Sequence, residues 1–324
     1  MKVLVCGGAG YIGSHMVKML DQEGHDVTVF DNLSTGHKEA VKWGRFAIGD
    51  LTEKGSLDSL FEKGHFDAVM HFSAKSLVGE SMTDPAGYYR NNVLGTINLL
   101  NAMRDHDVKT FIFSSSAATY GNPIKPFIDE THPLNPINPY GKTKLMVEKI
   151  LEDYEKAYHI SSVSLRYFNA AGADKDGDIG ESHDPETHLI PNIIKSVVGD
   201  RVPLKVFGND YATKDGTCVR DYIHVTDLAK AHLLSLDYMN ANKGAHVFNL
   251  GNGKGFSILD VIHAAENVIN GKIDFEYQKR RAGDPPTLVA DSTFAKMELG
   301  WKIEYDNMTD IIKTAFAWHK NQTY

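Results

Sequence analysis

The 324-residue sequence contains two cysteines, Cys6 and Cys218, too few for a disulfide framework. That scarcity points to a reducing, cytoplasmic setting. No stretch approaches the roughly 20 apolar residues that a spanning helix needs, so no membrane partner is expected. The short apolar start Val3-Leu4-Val5-Cys6 breaks at once into glycines and does not read as a signal peptide. Positive charge is also scarce: 34 Lys and Arg stand against 42 Asp and Glu, a net charge of −8. This balance argues against nucleic acid as the main partner, though local basic residues can still hold an anionic small molecule. The fifteen histidines show neither HExxH nor CxxC spacing, and no metal is expected. Repeats and low-complexity tracts are absent. The length and the 42% hydrophobic content suit an ordinary globular protein with a sizeable core.

The first half alternates short apolar runs with helical patterns. Strands are expected at Lys2–Cys6, Val27–Phe30, Arg45–Ile48, Ala68–His71, Thr110–Phe113 and Ser162–Arg166. Helices are expected near Tyr11–Gln22, Ser56–Lys63, Tyr88–Asp105 and Tyr140–Tyr158. This alternation predicts an α/β fold, a doubly wound parallel sheet covered on both faces. From Ala170 to Pro185 the chain is rich in Gly and Asp and reads as a loop crossing into a smaller α/β substrate-binding domain. The expected division is 1–169 for the first domain and 170–218 with 251–324 for the second. A helix over Asp221–Leu236 and a strand over His246–Leu250 would let 219–250 rejoin the first. Asp274–Asp291 reads as a loop and Asn307–Lys320 as a closing helix.

Directly after the first strand stands Gly7-Gly8-Ala9-Gly10-Tyr11-Ile12-Gly13. Glycines spaced in this way allow a tight turn and let the backbone approach a pyrophosphate at a helix N-terminus. Asp31, 18 residues beyond Gly13, ends the second strand. A carboxylate there accepts from ribose hydroxyls and repels a 2′-phosphate, which favours NAD over NADP. Asp50 follows the third strand, where it either reaches the adenine or caps a helix. Phe72 ends the fourth, lining the crevice or packing in the core.

Three further features coincide. Ser114-Ser115-Ser116 follows the fifth strand, and Tyr140-Gly141-Lys142-Thr143-Lys144 opens a helix. Tyr140 and Lys144 are four residues apart and share a helix face. A neighbouring ammonium favours the phenolate of a tyrosine that is otherwise a poor base. A serine hydroxyl at the strand end can bind the same substrate oxygen. With a nicotinamide, these groups make an alcohol–ketone redox site.

At this point the sequence resembles the extended short-chain dehydrogenase/reductase superfamily, and within it the branch that inverts C4 of UDP-hexoses. The resemblance rests on Val3–His15 with Asp31-Asn32, His71-Phe72, Val78-Gly79-Glu80-Ser81, Tyr89–Gly95, Phe111–Ser116 and Tyr140–Glu148. It continues through Arg166–Asn169, Phe207–Tyr211, Val219–Val225, Asn249–Gly251 and Arg280–Asp284. It implies a Rossmann fold binding NAD through Gly7, Gly10, Tyr11, Ile12, Gly13, Asp31, Asn32, Asp50, Leu51, Phe72, Asn91, Ser114, Tyr140, Lys144, Tyr167 and Phe168. Tyr140 would be base and acid, Ser116 would orient the sugar 4-hydroxyl, and Lys144 would hold the nicotinamide ribose. The UDP-sugar would meet Ser116, Tyr140, Asn169, His188, Leu189, Phe207, Arg220, Arg281, Asp284 and Leu288. The two arginines suit a pyrophosphate. The resemblance also implies a homodimer through the helices near Tyr88–Asp105 and Tyr140–Tyr158.

The implied reaction interconverts UDP-galactose and UDP-glucose by transient oxidation at C4. Related dehydratases carry an acidic pair after the Ser/Thr position, where this chain has Ala117-Ala118 and so lacks a local acid and base for elimination. The alternatives are another nucleotide-sugar enzyme of the same superfamily (a reductase, or a UDP-glucuronate epimerase or decarboxylase) and a non-catalytic NAD-binding regulator. Three departures from the pattern stand out: Ser76 where some relatives have lysine, His188 where many have asparagine, and Leu288 where restricted relatives have tyrosine. The last suggests that N-acetylated UDP-sugars also fit.

Overall fold

The computed structural model describes residues 1–198, 202–281 and 284–324. The chain begins β1 (Lys2–Cys6), α1 (Tyr11–Gln22), β2 (Asp26–Asp31), β3 (Arg45–Ile48), α2 (Lys54–Gly64) and β4 (Ala68–His71). Two short helices, α3 (Val78–Thr83) and α4 (Pro85–Tyr88), lead through a wide π-type turn, Tyr89–Leu94, into α5 (Gly95–Asp105). Then come β5 (Thr110–Ser116), α6 (Pro139–Tyr158) and β6 (Ser161–Tyr167).

After β6 follow β7 (Asn169–Ala171), α7 (Leu189–Val198), β8 (Leu204–Phe207), β9 (Val219–Arg220) and β10 (Tyr222–His224). Next are α8 (Val225–Ala241), β11 (Ala245–Leu250), β12 (Phe256–Ser257), α9 (Ile258–Ile269), β13 (Phe275–Gln278) and β14 (Thr287–Leu288). The chain closes with α10 (Thr293–Glu298) and α11 (Met308–Lys320).

The main sheet has seven strands in the order β11-β6-β5-β4-β1-β2-β3, and its pairings are parallel. Strand order reverses between β1 and β4, and ligands of doubly wound sheets bind beyond the strand ends at such a point. The apolar run of β1 has a simple cause. Alternate residues of a strand face opposite sides. Val3 and Val5 join the cluster under α1 and α8, while Leu4 and Cys6 join the one under α2, α5 and α6. Each fully buried side chain of this kind contributes roughly 1.5–3 kcal/mol. A separate apolar core gathers α7, α9, α11, β8 and Tyr222.

Several element boundaries differ from those that the sequence predicts. The serine run lies inside β5, because Ser114, Ser115 and Ser116 pair with Leu165, Arg166 and Tyr167 of β6. The helix expected from Asp221 starts at Val225, since Tyr222–His224 pairs with Asn169–Ala171 instead. His224 caps that helix through a hydrogen bond from the Thr226 amide at 3.1 Å. The stretch read as a loop, Asp274–Asp291, contributes β13 to β8 and β14 to β9. Ala282 and Gly283 within it lie outside the described residues. β11 follows α8 and completes the main sheet beside β6.

Candidate active site

The glycine loop shows why its spacing matters. Gly7 has φ +80°, and a Cβ on it would sit 2.6 Å from the Ser73 amide nitrogen at the end of β4. A Cβ on Gly13 would fall 2.1 Å from the Gly7 carbonyl oxygen. The turn therefore closes only with glycine at both positions. Gly10 precedes α1, whose N-terminus has no side-chain cap and no acidic residue in its first turn. Such an end suits a pyrophosphate. Asp31, buried at the end of β2, accepts from the Ala9 amide at 3.0 Å and the Leu33 amide at 2.8 Å. Burial pushes its carboxyl above the usual range, and these amides oppose that shift.

Asn32 reaches Asp50 at 2.8 Å, and Asp50 also accepts from the amide and hydroxyl of Thr52 at 2.7 and 2.8 Å. These two residues rim the sheet at the ends of β2 and β3. Leu51 is buried in the core beneath them, its carbonyl accepting from the Asn98 side-chain Nδ2 at 3.0 Å. Of the two alternatives for Phe72, the structure shows core packing. Its backbone abuts Gly7, and its ring packs against the core, 4.8 Å from the His232 ring. Ile12 packs against the same core. Tyr11 donates to the Gly172 carbonyl at 2.6 Å, joining the glycine loop to the crossing segment.

The serine, tyrosine and lysine converge above β5. Asn138 caps α6 by accepting from the Gly141 amide at 2.8 Å, and Pro139 occupies the first helical turn. Gly141 was not singled out from sequence, yet a Cβ there would lie 2.4 Å from the Ala118 carbonyl oxygen. Its missing side chain lets the start of α6 close onto the turn after Ser116. The Ser116 hydroxyl accepts from the Ala118 amide at 3.1 Å and lies near enough to the Tyr140 phenol to lower its pKa.

Burial pushes the Tyr140 phenol above its ordinary value, and the Ser116 contact pulls the other way. The expected lowering by Lys144 is not what the chain alone produces. The Lys144 ammonium donates to the Ser114 carbonyl at 2.7 Å and lies 5.9 Å from the Tyr140 ring centre. Burial brings Lys144 down to about 7, against the pull of Glu148 one turn on. Tyr167 hydrogen-bonds the Ser114 hydroxyl at 2.5 Å. Asn91 donates to Asn92 at 2.9 Å, and Asn92 donates to Thr143 of α6 at 3.0 Å.

A second missed layer supports these groups. Glu148 and Arg166 form an ion pair with side chains 3% and 4% exposed, so the pair is shielded from screening. Glu148 also accepts from the Ser115 hydroxyl at 2.5 Å, and Arg166 donates to the Tyr120 hydroxyl at 3.0 Å.

Leu189, Phe207, Arg281 and Asp284 line a cavity of about 690 Å³ between α7 and β8. Arg281 stacks over the Phe207 ring at 4.1 Å, and Arg220 pairs with Asp284. Leu288 lies opposite Arg220 in the β14–β9 register and packs with Phe168 against Ala117 and Tyr120. It thus links the arginine strand to the turn after Ser116. Asn169 donates to the Asp221 carbonyl at 2.7 Å. His188 turns its Nδ1 to Glu181 and Glu186, at 2.8 and 3.0 Å. Lys75 pairs with Glu80 at 2.9 Å.

The glycine turn, the strand-end carboxylate and the Ser–Tyr–Lys set together fit a dinucleotide beside an oxidisable alcohol. Residues 3–251 match the family described as the NAD dependent epimerase/dehydratase family. The chain belongs to this family. It is 53% identical over 322 residues to the UDP-glucose 4-epimerase of Lactobacillus helveticus, covering 99% of this chain and 98% of that one. Its structure is similar to that of UDP-glucose 4-epimerase from Brucella ovis in complex with NAD, with a TM-score of 0.94, 49% identity and coverage of 97% and 98%. It is also similar to UDP-glucose 4-epimerase from Bifidobacterium longum in complex with NAD+ and UDP, with a TM-score of 0.95, 38% identity and 99% of each chain covered. In this member the two positions after Ser116 are alanines, Ala117 being buried.

Proposed function

We propose that this chain is an NAD-dependent UDP-glucose 4-epimerase, which interconverts UDP-galactose and UDP-glucose. One observation carries the reading within the family: Tyr140, Ser116 and Lys144 lie together, and the two positions directly after Ser116 are alanines where elimination needs an acid and a base. The residues present fit NAD. The turn around Gly7, Gly10, Tyr11, Ile12 and Gly13 would hold the pyrophosphate, Asp31 with Asn32 and Asp50 the adenosine, and Lys144 with Asn91, Ser114, Tyr167 and Phe168 the nicotinamide half. When bound, NAD supplies the acceptor and later donor of the C4 hydride, and a positive charge that favours the Tyr140 phenolate.

Tyr140 takes the proton of the sugar 4-hydroxyl while Ser116 holds the same oxygen. Lys144 fixes the face of α6 on which Tyr140 stands. Arg220 and Arg281 bind the UDP oxygens, Asp284 orients Arg220, and Asn169, Leu189 and Phe207 shape the remaining wall. The 4-keto sugar turns over on its UDP anchor, and Tyr140 returns the proton to O4 of the other epimer. Leu288, smaller than a tyrosine, leaves room at C2, so UDP-GlcNAc and UDP-GalNAc are proposed as further substrates.

The proposed division assigns 1–169 with 219–250 to the cofactor and 170–218 with 251–324 to the UDP-sugar. A homodimer through α5 and α6 is proposed; Leu94, before α5, and Met146, on α6, are exposed apolar residues there. Among the described residues no helix is long and apolar enough to cross a membrane. Cys6 and Cys218 are both free and buried, which supports a cytoplasmic setting. The test is UDP-galactose deuterated at C4. Hydride return keeps the deuterium at C4 of the product glucose. Its loss to solvent would exclude the mechanism.

A further inference from the structure

The segment that leads into α7 carries Glu181, His183, Glu186 and His188, a Glu-x-His-x-x-Glu-x-His spacing outside the HExxH and CxxC patterns. One ligand atom from each lies within 4.8 Å of the others. The His188 Nδ1 is 2.8 Å from Glu181 Oε1 and 3.0 Å from Glu186 Oε1. The His183 Nδ1 is 3.2 Å from Glu181 Oε1 and 3.8 Å from Glu186 Oε2. Four ligands at zinc distances of about 2.0–2.1 Å stand about 3.3–3.4 Å apart at tetrahedral edges. These separations bracket that figure.

A second observation is independent of the spacing. The Glu186 side chain is only 3% exposed, and its Oε2 has no hydrogen-bond partner among the described residues. The buried His183 Nδ1 that faces it at 3.8 Å has Glu181 Oε1 at 3.2 Å but no well-formed hydrogen bond. A buried carboxylate oxygen left without a partner, as Glu186 Oε2 is, is costly unless something binds it. The other acidic cluster differs in this respect. Asp174, Asp176 and Asp178 already surround the Lys18 ammonium at 2.7, 3.1 and 3.0 Å.

We propose that Glu181, His183, Glu186 and His188 bind one divalent transition-metal ion of the zinc class, which pins the lead-in of α7 against the glycine loop. Imidazole and carboxylate ligands suit that class. The position supports a clamp. The His183 ring meets Tyr11 edge-on at 6.4 Å, the Glu181 carbonyl accepts from Trp318 of α11 at 2.9 Å, and Glu186 and Leu189 border the substrate cavity. The ion lies outside the hydride chemistry, and the inference stands apart from the epimerase reading.

The test uses the full chain with its bound NAD, treated with chelator and titrated with zinc chloride by calorimetry. Cobalt(II) chloride serves as a spectroscopic probe. The expected result is one zinc per chain and a visible cobalt band of tetrahedral intensity. Affinity should fall by more than the about 10–100-fold that outer-shell changes cost, in His183→Gln and separately in Glu186→Gln. A raised melting temperature with zinc should appear in the wild type and vanish in both variants. Equal zinc affinity and equal cobalt spectra in the wild type and both variants would overturn the site, as would absence of binding to the wild type.

Discussion

The Lys144 ammonium donates to the Ser114 carbonyl at 2.7 Å, which locks α6 to the end of β5. Tyr140, one turn earlier, is held by the same bond. In the chain alone burial lowers Lys144 to about 7, below the ordinary 10.5. Between those values the unfolded chain carries the extra proton. Stability of the NAD-free protein therefore rises with pH across that window and is lost as pH falls toward 7. Lys144→Met should flatten the rise. Urea denaturation of both proteins at the two ends of the window checks this; parallel pH profiles would refute it.

Tyr140→Phe removes the only atom assigned to proton transfer. Turnover should fall about 10²–10⁴-fold, the usual weight of general acid–base catalysis. Bound NAD, measured by acid release and absorbance, should remain. Loss of NAD together with activity would make Tyr140 a binding residue.

Gly13→Ala places a Cβ 2.1 Å from the Gly7 carbonyl oxygen, against backbone that has no room to give. The purified variant should carry little or no NAD, and its melting temperature should drop. Full NAD occupancy would contradict the role given to the turn.

Glu148→Gln breaks the buried pair with Arg166 and leaves an uncompensated guanidinium. A destabilisation of about 3–5 kcal/mol is expected from chemical denaturation. The loss should be smaller in the double variant Glu148→Gln/Arg166→Met than single losses would sum to.

Leu288→Tyr should narrow the sugar pocket. Turnover of UDP-GalNAc should fall at least about tenfold relative to UDP-galactose, the scale of a steric change in an apolar pocket. An unchanged ratio would remove Leu288 from the specificity determinants.

Local signals were legible. The Gly7–Gly13 spacing, Asp31 at a strand end and the Tyr140/Lys144 pair each lie within one or two elements, so the sequence alone places them. What escaped depends on contacts between distant segments. Nothing local marks Gly141 as special until α6 closes on Ala118. The buried Asp221 carboxylate accepts amides from Asn252, Gly253 and Ala290 at 2.7, 2.9 and 3.0 Å, and so ties the β11 end to the strand bearing Leu288. That partnership spans about seventy residues. The wide turn Tyr89–Leu94 was hidden because its composition reads as ordinary helix, while its purpose is to turn Asn92 inward to Lys75 and Thr143.

The most direct measurement incubates the purified protein with UDP-galactose and no added cofactor, following the sugar anomeric signals by proton NMR. The account predicts UDP-glucose accumulating to a fixed equilibrium ratio, with bound NAD unchanged at the end. No conversion by protein shown to carry NAD would contradict it.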